Sequence, residues 1–196
     1  MSSTTAASPG PVTCSVAGAV ATITLDDGKA NALSHSLLDE FDRSIDEALA
    51  AEARVLVVVG RDGKFSAGFD LSVMTAGPEQ ARDLLRKGAD LALRLFELPI
   101  PVVFAVTGHA LAMGGIILCC ADLRIGASGP DKIGLPEVRI GMPVPAFAVE
   151  LCRDRLSPRW FTRAVMLGER LDPQQALDAG FFDEVAELDQ VRDRAL

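Results

Sequence analysis

The chain has 196 residues, 49% of them hydrophobic and 23% charged, and a formal net charge of −8 at pH 7. That length suits one domain with a substantial core, and the apolar share fits a globular protein with much buried surface. The negative charge argues against non-specific nucleic-acid binding, which needs a cationic face, but leaves room for an anionic ligand held by a few local Lys or Arg side chains.

Residues 1–10 have neither a cationic start nor an apolar stretch of the export type, and they are expected to form a mobile tail. Val12–Val16 and Val20–Leu25 read as short strands joined at Ala17-Gly18-Ala19, and Asp26–Lys29 as a loop. Ser34 suits the N-cap of a helix reaching Ala50, with Leu37, Leu38, Phe41, Ile45 and Leu49 on one face. Val55–Val59 is fully apolar, as in a strand covered on both sides. A helix is expected over Pro78–Glu97, a strand over Pro101–Val106, a helix opening at Gly114–Cys120 and a short β run at Leu123–Ile125. Helices follow near Ala146–Arg153, Pro158–Leu167 and Pro173–Ala179, and Glu187–Leu196 starts an amphipathic one. Strands alternating with helices predict an α/β layered fold, with residues 11–186 as one domain.

Leu98–Ala121 carries no charged residue and has the length of a membrane span, but Pro99, Pro101, Gly108, His109, Gly114 and Gly115 interrupt it. It reads instead as buried strand, turn and helix, so no membrane partner is expected. Cys14, Cys119, Cys120 and Cys152 show no metal-site spacing, so no metal is expected and a reducing cytoplasm is the simplest compartment.

Two glycine turns carry the chemistry: Phe65-Ser-Ala-Gly-Phe-Asp-Leu71 and Gly108-His-Ala-Leu-Ala-Met-Gly-Gly115. Each follows an apolar run. Glycine lets the backbone turn sharply, so amide N–H groups can face a ligand. Two such amides can hold a carbonyl oxygen as it becomes an oxyanion, and a nearby carboxylate can move the adjacent proton. A lone acid, Glu137, follows in Ile133-Gly-Leu-Pro-Glu-Val-Arg-Ile-Gly141. Gly108–Gly115 does not read as a dinucleotide fingerprint, which belongs after the first strand. Ser66 and Ser72 flank the first turn without a histidine and acid placed for serine-peptidase chemistry.

From Val12 to Val185 the chain resembles the crotonase superfamily, the enoyl-CoA hydratases and isomerases. The resemblance rests on five segments in order: Lys29-Ala-Asn-Ala-Leu33, the two glycine turns, Cys120-Ala-Asp-Leu-Arg-Ile125 and Ala176-Leu-Asp-Ala-Gly-Phe-Phe-Asp-Glu-Val185. It implies a spiral of repeated ββα units assembled as homotrimers or hexamers. It implies an acyl-CoA substrate, with coenzyme A entering as part of the thioester and no permanently bound cofactor. It puts the oxyanion donors at the backbone N–H groups of Phe69 and Met113, where Met113 also brings a side chain near the acyl path. Lys29, Ala30, Ala67, Phe69, Asp70 and Leu71 fall where the family holds the CoA arm. Lys29 reads equally as a phosphate contact and as a solvated loop lysine.

Family hydratases commonly use two glutamates. Here Ile116 takes the first position and Glu137 the second, a pattern similar to the single-glutamate Δ3,Δ2-enoyl-CoA isomerases. A 1,3-proton shift needs one base; hydration is easier with a second acid. Glu79, Asp83 and Asp90 on the Pro78–Glu97 helix remain candidates for that second acid. A 2-enoyl-CoA hydratase and a non-catalytic acyl-CoA-binding protein are the alternatives. His109 is expected to serve structure beside the second turn, and His35 to lie on the surface. Family members usually continue with helices that cap the acyl pocket, so those helices are expected to be short or missing here.

Overall fold

Strands β1 (Val12–Ala17) and β2 (Val20–Leu25) form an antiparallel hairpin around Gly18, whose φ of 60° suits the turn. The computed structural model describes residues 10–196, so the expected tail lies outside the described residues except for Gly10. Then come β3 (Ala32–Leu33), helix α1 (His35–Ala50), β4 (Val55–Val59), β5 (Gly63–Ser66), β6 (Gly68–Phe69), α2 (Leu71–Met74) and α3 (Pro78–Phe96). The chain continues through β7 (Val102–Val106), β8 (Gly108–Leu111), α4 (Met113–Ile116), a 3-10 turn at Ile117–Cys120, β9 (Leu123–Ala127) and β10 (Ile133–Gly134). A second 3-10 turn, Pro136–Ile140, precedes α5 (Ala146–Arg155), α6 (Pro158–Phe161), a π-helical turn at Thr162–Met166, α7 (Pro173–Ala179), β11 (Glu184–Ala186) and α8 (Leu188–Ala195).

Two sheets advance in step. The larger has the order β1-β2-β4-β7-β9-β11, parallel from β2 onward, and the smaller has β10-β8-β5. Each repeat lays one strand into the large sheet and one into the small sheet, then returns by a helix or loop. The chain therefore winds as a spiral, and the C-terminal ends of the small-sheet strands gather at one side.

The apolar runs of β4 and β7 occupy the middle of the large sheet, where both faces are covered. One face, with Leu56, Val58, Val102 and Phe104, meets α1, α3 and the main core. The other, with Val57, Val59, Val103 and Ala105, meets Val191 and Ala195 of α8. Ser34 caps α1, its hydroxyl accepting from Leu37 N–H.

The predicted helix at Gly114–Cys120 starts one residue earlier and tightens to 3-10 geometry over Ile117–Cys120, all four of whose residues are buried. Strands β3, β5, β6, β8, β10 and β11 had no clear apolar alternation; they are two to four residues long and held by neighbouring strands. Among the described residues no helix is long and apolar enough to cross a membrane. The run Leu98–Ala121 instead contains β7, β8 and α4.

Candidate active site

The two glycine turns are pressed backbone to backbone. A Cβ on Gly68 would fall 2.7 Å from Ala112 Cβ, 2.8 Å from Leu111 O and 3.0 Å from Met113 N. A Cβ on Gly114 would lie 2.5 Å from Ser66 O. Neither place admits a side chain, which is why both turns carry glycine. Ala112 has a φ of 51°, unusual for a non-glycine residue, and this bend opens α4. Met113 is then the first helical residue, whose N–H has no acceptor within the helix.

Beside the turns lies a cavity of about 210 Å³. Phe69, Met74, Ala81, Leu85, Ile116, Met142, Pro143 and Pro145 supply apolar walls, and Arg82 and Glu137 are its charged members. Glu137 sits in the 3-10 turn Pro136–Ile140 with 8% of its surface exposed. Its Oε2 is buried with no hydrogen-bond partner. Burial pushes the carboxyl above the usual carboxylate range, partly offset by a hydrogen bond from its own backbone amide. Ile116 faces the same cavity and offers no proton. Of the other acids considered, Asp83 pairs with His35 at 2.8 Å, and neither Glu79 nor Asp90 lines this cavity.

Met113 is fully buried, and its Cε packs near Gly88 of α3 rather than lining the cavity. The side chain expected from Met113 is therefore absent from the cavity lining and Phe69 lines it instead, because α3 closes over Met113.

A groove of about 640 Å³ runs past the other side of the first turn. Lys29, Ala30 and Asp70 line it together with Asp26, Asp27 and Pro11. Ala67 is exposed, and its N–H donates to Ala30 O at 2.9 Å, tying the turn to this groove. Leu71 is 59% exposed and lines neither the groove nor the cavity. The groove holds three carboxylates, but backbone amides occupy them. Asp27 accepts from Lys29 and Asn31 N–H, and Asp26 from Gly28 N–H. Asp70 accepts from Ser72 Oγ and N–H, which hold its carboxyl below the usual range. Lys29 is exposed and makes no ion pair among the described residues, so its charge faces the groove.

His109 is locked in place. Its Nδ1 accepts from Lys132 N–H at 2.8 Å and its Nε2 lies 3.2 Å from Asp131 Oδ1. With both ring nitrogens engaged, it holds the β8–β10 region together. His35 lies at the surface against Asp83. Two residues that the sequence reading passed over shape this region. Asn31 is fully buried beneath the groove, and Gly88 of α3 receives the Phe69 ring. Asn31 lies within Lys29-Ala-Asn-Ala-Leu33, and nothing in that spacing shows it to be buried.

A sequence model described as enoyl-CoA hydratase/isomerase matches residues 15–196. A probable enoyl-CoA hydratase of Bacillus subtilis is 34% identical over 169 residues, covering 82% of this chain and 63% of that protein. The mitochondrial enoyl-CoA delta isomerase 1 of Mus musculus is 31% identical over 180 residues, covering 90% of this chain and 62% of that protein. The crystal structure of an enoyl-CoA hydratase/isomerase family protein from Pseudomonas syringae superimposes with a TM-score of 0.92 at 40% identity, covering 94% of this chain and 80% of that one. The fold is thus the crotonase fold. The chain spans about three fifths of the length of the curated relatives it matches.

Proposed function

The chain belongs to the enoyl-CoA hydratase/isomerase family, and from that premise we propose that it isomerises 3-enoyl-CoA thioesters to 2-enoyl-CoA by a 1,3-proton shift. The observation that carries this reading is Glu137: a desolvated carboxylate with an unpartnered oxygen, set in an apolar cavity that it shares with Ile116 and that has no second acid among the described residues.

In this reading the thioester oxygen lies between the backbone N–H groups of Phe69 and Met113. Glu137 removes a proton from the carbon α to the thioester. The electron pair moves into a dienolate whose negative charge falls on the thioester oxygen, where the two amides receive it. Glu137 then returns the proton to the γ carbon, and the double bond ends conjugated with the thioester. A carboxyl raised by burial suits a group that both takes and gives back one proton. Losing one oxyanion donor typically costs about 3–4 kcal/mol of transition-state stabilisation.

The groove beside Lys29 and Ala30 is assigned to the CoA moiety, with Ala67 and Asp70 along the arm and Lys29 meeting a phosphate, while Leu71, which lines neither space, is set aside. Coenzyme A enters with the substrate. The alternatives are 2-enoyl-CoA hydration and acyl-CoA binding without turnover. Hydration is disfavoured because Ile116 stands where a second acid would help activate water. Val138, Ile140, Met166 and Leu167 are exposed, with Val138 packing at Gly168, and this apolar surface supports assembly as trimers or paired trimers. Four free thiols fit a reducing cytoplasm.

The test incubates the protein with 3-enoyl-CoA and 2-enoyl-CoA in parallel, reading products by mass and ultraviolet absorbance. Conversion of 3-enoyl to 2-enoyl-CoA with no change in mass supports isomerisation. A mass gain of one water on 2-enoyl-CoA favours hydration, and tight binding without turnover favours the binder.

A further inference from the structure

We propose that Asn31 and Ser66 are positioning residues that join the groove loop to the first glycine turn and set the aim of the Gly68–Phe69 peptide. This inference rests on the reading of that turn as part of an oxyanion site.

Asn31 is fully buried and holds a φ of 50°, a left-handed conformation that asparagine tolerates better than most side chains and that its partners here hold in place. They do so from three sides. Asn31 N–H donates to Asp27 Oδ1 at 2.9 Å, and Asp27 N–H donates back to Asn31 Oδ1 at 2.9 Å, closing the groove loop on itself. The side-chain amide donates to Leu25 O at 2.8 Å and to Phe65 O at 3.1 Å, bridging the end of β2 to the end of β5.

The backbone of Asn31 then continues the connection. Ser66 Oγ donates to Asn31 O at 2.8 Å and accepts from Gly68 N–H at 3.2 Å. Ser66 is fully buried, so its single hydroxyl proton and one lone pair are both committed. An unbroken line of hydrogen bonds therefore runs from Asp27, on the groove wall, through Asn31 and Ser66 to Gly68.

Gly68 is the hinge where this matters. Its φ of 89° is open only to glycine, and glycine without an anchor samples many orientations. The peptide after it carries the N–H of Phe69. The Gly68 N–H belongs to the peptide before Gly68; tying it to Ser66 Oγ fixes that plane and, with Gly68 pressed on Ala112 and Leu111, narrows the rotations by which the Phe69 N–H could swing before substrate arrives. A bound ligand in the groove then meets a turn whose amide is already aimed, so the groove supplies affinity and the relay supplies alignment.

The test is Ser66→Ala, which removes the hydroxyl and keeps the backbone. Misalignment of an angstrom at a reacting centre costs about 100-fold. We expect kcat for 3-enoyl-CoA to fall by about 10- to 100-fold, with KM and the affinity for free CoA within about twofold of wild type. Free CoA lacks the acyl carbonyl and reports on the groove alone. A kcat within about twofold of wild type overturns the proposal, as does an equal loss of kcat and free-CoA affinity, which marks general damage. Amide hydrogen exchange, which needs no substrate, gives a second reading: peptides spanning residues 67–71 should exchange faster in the variant while β4 and β7 do not. Unchanged exchange there also overturns it. If Ser66→Ala fails to fold, Ser66→Cys, with a weaker donor, is judged by the same two measurements. If the wild type turns over neither enoyl-CoA, the catalytic reading fails, and the exchange experiment alone decides whether Ser66 holds the turn.

Discussion

Gly88 of α3 lies directly against the ring of Phe69: a Cβ at residue 88 would fall 2.3 Å from Phe69 Cζ and 2.5 Å from Cε1. The same Cβ would lie 3.4 Å from Met113 Cε. One position without a side chain thus lets α3 close over a residue of each glycine turn. A glycine inside a helix costs about 0.8–1 kcal/mol relative to alanine, so its presence here reflects that close approach.

Gly88→Ala should therefore lose more by overpacking than it gains in helix propensity. Overpacking a filled core costs about 1–3 kcal/mol. The Phe69 ring lines the cavity, so a ring displaced into that space should raise KM for enoyl-CoA together with a lower melting temperature. Thermal melts and steady-state kinetics on one preparation check both.

Glu137→Gln should abolish isomerisation and leave acyl-CoA affinity nearly unchanged, since the amide keeps the shape and loses proton transfer. A proton carrier is worth about 100- to 10,000-fold in rate. Single-turnover kinetics alongside calorimetry separate the two effects. Full activity in the variant would show that the base lies elsewhere.

Glu137 also makes activity and stability respond oppositely to pH. As a base it must be ionised, so kcat/KM should rise with pH through its raised pKa. For stability, the folded-state pKa lies above the unfolded value, so folding favours the protonated form. The stabilising contribution is complete below the unfolded pKa and is lost as pH rises through the folded one. Glu137→Gln removes this penalty. Its melting temperature should therefore gain on wild type more at about pH 8 than at about pH 5. A gain that is equal at both pH values would mean the carboxyl is not desolvated.

Ile116→Glu would place a second carboxyl on the same cavity wall. Two carboxyls in one apolar space share a proton, which raises one pKa further and provides an acid and a base together. The variant should gain hydration of 2-enoyl-CoA, read as a mass increase of one water, and lose thermal stability because Ile116 is 1% exposed.

Arg124 and Asp183 pair beneath β9, with Arg124 Nε donating to Asp183 Oδ2 at 2.8 Å and Nη2 to Oδ1 at 2.7 Å. Burial pushes the Asp183 carboxyl up, but the hydrogen bonds and charge of Arg124 outweigh it and hold it below the usual range. Asp183→Asn would leave the buried guanidinium, whose Nη1 already lacks a partner, without its counter-charge. Removing one partner of a buried pair costs about 3–5 kcal/mol, and the partial exposure of Asp183 places this case near the lower end. Urea unfolding of wild type and variant gives the number. Because the folded pKa of Asp183 is depressed, this contribution is present above the unfolded pKa and is lost as pH falls through the folded one.

Periodicity and local chemistry determined much of this protein on their own. The apolar run Val55–Val59 reads as a strand covered on both faces, and Ser34 before Leu37, Leu38 and Phe41 suits the opening of a helix with one buried side; both elements form as read. The glycines at 68 and 114 and the isoleucine at 116 were visible as residue types, and so was the single acid at 137. Those features are local: they depend on what a few neighbouring residues permit the backbone to do. Tertiary structure decided the rest. Strands β5, β8 and β10 are too short to announce themselves and exist because neighbouring strands satisfy their amides. Glu137 becomes a desolvated carboxyl only when Ile116, Phe69 and α3 close around it, and Gly88 needs no side chain only because Phe69, nineteen residues earlier, arrives there. Asn31 bonds Leu25, Asp27 and Phe65 at once, a convergence that spacing along the chain does not encode, because hydrogen-bond geometry is set by where the folded strands bring their carbonyls.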